Sequence, residues 1–178
     1  QCIKGLSDFD GVFAPYGFGP RGTEGKIAAT SYARENDLPF LGICYGFQLA
    51  VIEFARNVCG LKDANSTEIN PDSPYPVIDL MPEQRGIEIK GATMRLGAHK
   101  IVLQKDTLVY SMFGQEEIHE RHRHRFEVNL DYIQVLKNNG LCFTGKSVDG
   151  KRMETLELPD KYFYFASQFH GEFKSRPG

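Results

Sequence analysis

Hydrophobic and polar positions divide the chain into two regimes, separated by a stretch over residues 60–82 where periodicity fails. In the first regime, residues 10–15 predict a strand that runs into a glycine-rich loop, Tyr16-Gly17-Phe18-Gly19-Pro20-Arg21-Gly22. Ile27, Thr30, Tyr32 and Ala33 recur at partly helical spacing among good helix formers and predict a helix over 25–36. Phe40-Leu41-Gly42-Ile43 predicts the next strand, and 48–58 a second helix. That β-α-β order implies a sheet with parallel strands covered by helices. Prolines 71, 74, 76 and 82, with Asp63, Asn65, Asn70 and Asp72, predict a long loop holding at most a short strand over 77–80. A loop of that length in a compact domain is usually functional. Further on, strands are predicted over 87–89, 94–96, 100–103, 122–128, 141–146, 153–158 and 162–168, and a helix over 130–138. Asp149-Gly150 fits a hairpin turn between two of these strands. The expected fold class is α/β, a mostly parallel central sheet with flanking helices and a strand-rich C-terminal part.

Composition narrows the class of protein. The 178 residues suit one domain with a sizeable core. A net charge of -2 gives no global attraction to nucleic acid or anionic membrane. Cys2, Cys44, Cys59 and Cys142 show neither a C-x-x-C spacing nor a secreted framework, so reduced thiols and a cytoplasmic location are expected. No segment approaches the roughly 20 apolar residues of a membrane span, and residues 1–5 lack the features of a signal peptide.

The candidate chemistry starts at Cys44. A short apolar run ends there, glycines stand two residues before it and two after, and a helix follows: a strand, a tight turn and a helix that would hold the thiol proud of the sheet edge. A helix N-terminus supports a thiolate. A buried, inert cysteine between two packing glycines is the competing reading. Among the five histidines, His170 follows an aromatic strand and precedes Gly171 and Glu172. In an extended segment residues two apart share a side, so Glu172 could orient an imidazole that serves Cys44. The glycine loop matches G-x-G-x-x-G at Gly17, Gly19 and Gly22, but Pro20 lies inside it and no acidic residue ends a second strand. Backbone N–H groups presented to the Cys44 strand end, as an oxyanion hole, fit that loop better than a nucleotide does. In Arg121-His122-Arg123-His124-Arg125 a strand would put arginines on one face and histidines on the other. Acidic neighbours at 120 and 127 and the lack of interleaved aromatics disfavour nucleic acid there. A guanidinium gripping a small-molecule carboxylate is the sharper reading of the run, pairing with local acids the plainer one. Metal binding by His122 and His124 lacks the cysteine or carboxylate complement a site needs.

Residues 42–48, Gly-Ile-Cys-Tyr-Gly-Phe-Gln, with a distal His170-Gly171-Glu172, resemble the class I (triad) glutamine amidotransferases. The blocks at 15–26, 63–68, 91–97, 120–129 and 169–177 narrow the resemblance to the glutaminase domain of CTP synthases. It implies a flavodoxin-like fold in which Cys44 is the nucleophile, His170 the base and Glu172 its orienter. It further implies that Gly17 and the Tyr45 amide border the oxyanion region and that Gly46, Phe47 and Gln48 contact L-glutamine. Gln48 and Glu68 would hold the amino acid end of the substrate, and Arg125 its carboxylate. The 178 residues then read as one amidotransferase domain, without the first strand and helix and the synthetase domain that precede it in family members. No cofactor is implied for this domain. ATP, Mg²⁺ and UTP belong to the synthetase domain, GTP would activate the whole enzyme, and the whole enzyme would be a homotetramer.

Three departures stand out against the family pattern. Tyr16 replaces a glycine on the oxyanion loop, Gly171 replaces a proline between base and orienter, and Tyr45 and Phe47 replace Leu and Met after the nucleophile. Two alternatives stay open: a degenerate, non-catalytic domain used for assembly or regulation, and a cysteine hydrolase acting on another γ-glutamyl substrate.

Overall fold

The computed structural model describes residues 5–81 and 94–176. The strand expected over 87–89 lies outside the described residues, as do Cys2 and part of the 91–97 block. The first regime folds as β1 (Val12–Ala14), α1 (Thr23–Glu35), β2 (Phe40–Ile43) and α2 (Tyr45–Asn57). Helix α1 starts after Gly22, whose left-handed φ of 75° turns the loop into the helix, and it buries Thr23, Ile27, Thr30 and Ala33 along one stripe. Helix α2 is apolar nearly all round and buries every residue from Tyr45 to Ala55. Such a helix must be covered on all sides.

The cover comes from two sheets. The larger has seven strands in the order β1-β2-β10-β9-β8-β5-β6, adding β5 (Arg95–Leu103), β6 (Glu117–His124), β8 (Cys142–Ser147), β9 (Met153–Glu157) and β10 (Tyr164–Ser167). The smaller joins β3 (Ala64–Ser66), β4 (Tyr75–Leu80) and β7 (Phe126–Val128). Helix α2 touches β1, β2 and β10 on one side and β3, β4 and β7 on the other. One core cluster fills that space with Phe47, Leu49, Val51, Ile52, Val77 and Ile78 among its members. On the opposite face of the large sheet, Ile101, Leu103, Ile118, Phe165 and Phe169 pack with Val109 of α3 (Leu108–Phe113).

The α/β class and the strand-rich C-terminal part are as expected, but the large sheet is mixed. Only β1–β2 and β2–β10 run parallel; α1 is the crossover for the first pair, while the second joins strands far apart in the chain. The remaining ladders, β10–β9, β9–β8, β8–β5 and β5–β6, are antiparallel. The hairpin at Asp149-Gly150 forms, with Gly150 at φ 71° and its amide on the Ser147 carbonyl at 2.8 Å.

Local expectations also need correcting. The supposed long loop carries two strands, β3 and β4. Pro76 is tolerated inside β4 because β7 pairs only with Ile78, Asp79 and Leu80. The segments 94–96 and 100–103 are one continuous strand, β5. The single strand expected over 122–128 is broken at Arg125, so that β6 joins the large sheet and β7 the small one. The helix over 130–138 divides into a 3-10 turn, Leu130–Tyr132, and α4 (Ile133–Asn138).

Candidate active site

Cys44 stands between β2 and α2 with φ 54° and ψ -96°, a backbone conformation that costs a residue with a Cβ about 1–3 kcal/mol. Its amide donates to the Ser167 carbonyl at 2.7 Å, which ties the elbow to the end of β10. The flanking glycines make the turn possible. A Cβ on Gly42 would come within 2.9 Å of Ala166 Cβ, and one on Gly46 would collide with the carbonyl oxygen of Ala14. Here the expectation from the glycine spacing holds.

The elbow opens into a cavity of about 620 Å³ lined by Cys44, Gln48, Glu68, Arg125 and His170 together with Tyr16, Gly17 and Phe18 of the glycine loop. Five segments distant in sequence therefore meet at one thiol. His170 lines the same cavity as Cys44, and Glu172 reaches it differently from the extended arrangement expected. After His170 the chain turns into a 3-10 helix, Gly171–Lys174, and this turn, not an extended strand, brings Glu172 Oε1 to 2.7 Å from His170 Nδ1. A carboxylate only accepts, so Nδ1 carries the proton and Nε2 is left as the basic nitrogen. Among the described residues Nε2 is buried with no hydrogen-bond partner. The imidazole lies between two rings, stacked on Phe173 at 4.5 Å and tilted against Tyr16 at 5.3 Å.

Burial pushes the Cys44 thiol up to about 12; the Tyr45 amide pulls the other way, and Glu172 and Glu68 add to the rise. The helix N-terminus, through the Tyr45 amide, favours the thiolate as expected, but burial outweighs it. Removal of the proton falls to a base.

Glu68 and Arg125 flank the far side of the cavity. Burial raises Glu68, while a hydrogen bond from the Gly19 amide and the charge of Arg125 draw it down. Arg125 Nε is buried without a hydrogen-bond partner among the described residues. Gln48 Nε2 donates to the Phe126 carbonyl at 2.9 Å and to Gln168 Oε1 at 3.2 Å. Three residues expected to touch substrate do not line the cavity. Phe47 is fully buried in the core, and Gly46 is pressed on Ala14. Tyr45 turns its side chain away and donates through its hydroxyl to the Gly19 carbonyl at 2.6 Å, bracing the glycine loop. None of these three offers a side chain to the cavity.

Sequence reasoning missed Gln168, whose Nε2 lies 3.7 Å from Cys44 Sγ, and the two rings around His170. Gln168 shares with Glu172 the spacing of two from His170, and that was its available signal.

The arginine-histidine run splits as expected over β6. His122 and His124 are buried, and Arg121 and Arg123 exposed. The histidines join a buried cluster: His122 Nδ1 is 3.0 Å from His124 Nε2, His122 Nε2 is 3.7 Å from Glu154, and Arg95 bridges Glu154 at 2.7 Å and Glu127 at 3.4 Å. Burial, followed by the Arg95 charge, pushes His122 well below the usual imidazole range and His124 down to about 3, while burial lifts Glu127 to about 7. These shifts act in opposite directions on acid stability. From pH 6.5 downward the unfolded chain takes up protons at two histidines that the folded chain refuses, which destabilises the fold. Between about 7 and 4.5 the folded chain holds a proton on Glu127 that the unfolded chain lacks, which stabilises it. Two histidines outweigh one carboxyl, so unfolding free energy is expected to fall by a net of about 1.4 kcal/mol per pH unit from pH 6.5 to 4.5, and more steeply below that, by about 1.4 kcal/mol per unit for each buried histidine. His122→Phe should flatten the acid limb. Denaturant titrations across pH test this, and a slope just below pH 6.5 as steep as that below 4.5 would refute the Glu127 contribution.

Comparison with known proteins follows the same lines as the geometry. The family model described as "Glutamine amidotransferase class-I" matches residues 1–178. CTP synthase of Pyrococcus furiosus is 61% identical over 175 residues, which cover 98% of this chain and 33% of that protein. CTP synthase of Pyrococcus horikoshii is 60% identical over 175 residues, with the same shares of 98% and 33%. The chain thus spans about a third of the length of the curated relatives it matches. Among solved structures, the glutaminase domain of Trypanosoma brucei CTPS with bound acivicin superposes with a TM-score of 0.88 at 41% identity, over 94% of this chain and 65% of that one. Among the described residues no helix is long and apolar enough to cross a membrane.

Proposed function

The chain belongs to the class I glutamine amidotransferases, and from that premise we propose that it is the glutaminase part of a CTP synthase, hydrolysing L-glutamine to glutamate and ammonia. The observation that carries this reading is the meeting of Cys44, the His170–Glu172 pair, the Glu68 carboxylate and the Arg125 guanidinium around one cavity. Cys44 Sγ attacks the side-chain carboxamide as its proton passes to His170 Nε2. The developing oxyanion meets the Tyr45 amide, and the loop at Gly17 is the element that must turn a second donor toward it. His170 then gives its proton to the departing ammonia, and the same nitrogen activates the water that cleaves the thioester. Glu172 keeps the proton on Nδ1 throughout and offsets the imidazolium charge.

Charge complementarity sets the substrate's orientation. Arg125 supplies a cation for the α-carboxylate, Glu68 an anion for the ammonium, and Gln48, with both amide hydrogens committed within the protein, a carbonyl oxygen. Gly46 and Phe47 contribute through the position of the helix backbone. The ammonia would go to UTP activated by ATP and Mg²⁺ in a synthetase domain of the whole, cytoplasmic and homotetrameric enzyme, with GTP as activator. None of those ligands is assigned to the residues of this cavity.

Ammonia release from glutamine by this chain, compared with Cys44→Ala, tests the proposal. Arg125→Ala tests the orientation. It is expected to raise KM by roughly tenfold to a hundredfold, matching about 1.5–3 kcal/mol for a charge-assisted hydrogen bond. Turnover should change far less, because the carboxylate charge is constant along the reaction. An unchanged KM with collapsed kcat would assign Arg125 elsewhere.

A further inference from the structure

The nucleophile has a second neighbour that the Cys-His-Glu arrangement does not use. Gln168 follows β10, is 1% exposed, and points its carboxamide at Cys44 Sγ across 3.7 Å. Which end of that carboxamide faces the sulfur follows from a chain of hydrogen bonds anchored on a group that can only accept. The Phe126 carbonyl takes a proton from Gln48 at 2.9 Å, so the amide nitrogen of Gln48 must lie on that side. The same nitrogen meets Gln168 at 3.2 Å, and only the oxygen of Gln168 can accept there. Its nitrogen is therefore turned to the sulfur. The reversed carboxamide would set two N–H groups against each other and an oxygen against the thiol, in a buried place where neither could find water.

We propose that Gln168 is a further catalytic residue, donating a hydrogen bond to the Cys44 sulfur that strengthens as the thiolate forms, with Gln48 as the residue that aims it. The inference rests on the assignment of Cys44 as nucleophile. A sulfur that accepts from Gln168 and from the Tyr45 amide keeps its own S–H proton for another acceptor, and His170 lines the same cavity with its Nε2 unpartnered among the described residues. The donor also matters energetically, because burial acts against the thiolate and Gln168 is among the groups that oppose it. Backbone contacts fix the donor. The Gln168 amide donates to the Glu154 carbonyl at 2.8 Å, and the preceding carbonyl, Ser167, accepts from Cys44 itself. The side chain thus moves with the elbow it serves.

The test uses iodoacetamide, a small neutral electrophile that needs no glutamine site, on the full chain, with the modified cysteine located by peptide mapping. Gln168→Met keeps the bulk and removes the donor. Its Cys44 alkylation rate is expected to fall about tenfold at each pH from 6 to 9, a displacement of the pH profile by about one unit to the alkaline side. Gln48→Met leaves Gln168 in place but free to turn, and should displace the profile in the same direction. Folding of each variant is checked by circular dichroism. Should Gln168→Met not fold, the Gln48→Met profile decides. A folded variant whose Cys44 profile coincides with the parent's overturns the inference while leaving the nucleophile assignment intact. A parent whose Cys44 is modified at no pH, while Cys59 or Cys142 is, overturns the assignment itself.

Discussion

Cys44→Ala is expected to lower ammonia release from glutamine on the order of 10⁴-fold or more, with the fold retained. The size follows from the absence of a substitute among the described residues: Cys59 and Cys142 are only partly buried and line neither the elbow nor the cavity. His170→Ala should come close to the same loss. A thiol pushed up to about 12 has almost no thiolate at neutral pH without a base, so the two groups act as a unit and their deletions should not add. The same dependence governs labelling. A chloroketone analogue of glutamine should modify Cys44 because the cavity holds its glutamine-like part in place, not because the thiol is intrinsically reactive. L-glutamine should protect it. Peptide mapping that finds Cys59 or Cys142 labelled with Cys44 untouched, or full ammonia release by Cys44→Ala, would sink the assignment and favour the non-catalytic alternative.

What was legible in the sequence follows from how local each feature is. Strand β2 and its elbow were readable because the apolar run, the glycines and the helix are contiguous, and the sheet confirms the reason for both glycines. The contact of His170 with Glu172 was readable from a spacing of two, although a 3-10 turn makes it where an extended strand was expected. The mixed sheet was not legible, since pairing order depends on which hairpins form between distant strands. Helix α3 was missed despite its local signals: Thr107 caps its N-terminus by accepting from the Tyr110 amide, and Gly114 closes it at φ 67°. Six residues give too few turns for periodicity to appear. The break at Arg125 separates two strands that look like one, because both alternate and neither end carries proline or glycine. Gln168 contacts Cys44, more than a hundred residues away, so its spacing of two from His170 marked a shared side but not its partner, and Phe173 reaches the imidazole only through a 3-10 turn where extended chain was expected.

Tyr16→Gly is expected to speed the formation of the Cys44 thioester by roughly a hundredfold to a thousandfold. The loop that must supply an oxyanion donor beside Gly17 is held from two sides. The Tyr45 hydroxyl and the Thr23 hydroxyl both donate to the Gly19 carbonyl, at 2.6 and 3.0 Å, which fixes its far end. At its near end Tyr16 carries a Cβ, and it is not among the residues with positive φ. A peptide flanked by such a residue has only a part of the orientations open to glycine, and the amide at Gly17 is confined with it. One missing oxyanion donor costs about 3–4 kcal/mol in the transition state. The substitution also removes a ring from the face of His170, but a tilted ring pair is worth only about 0.5–1.5 kcal/mol, so the gain should outweigh that loss. Single-turnover acylation with both proteins saturated in glutamine isolates the step. If the variant with glycine at this position acylates no faster than the parent, the Gly17 amide already faces the oxyanion, and the role of Tyr16 reduces to packing against the base.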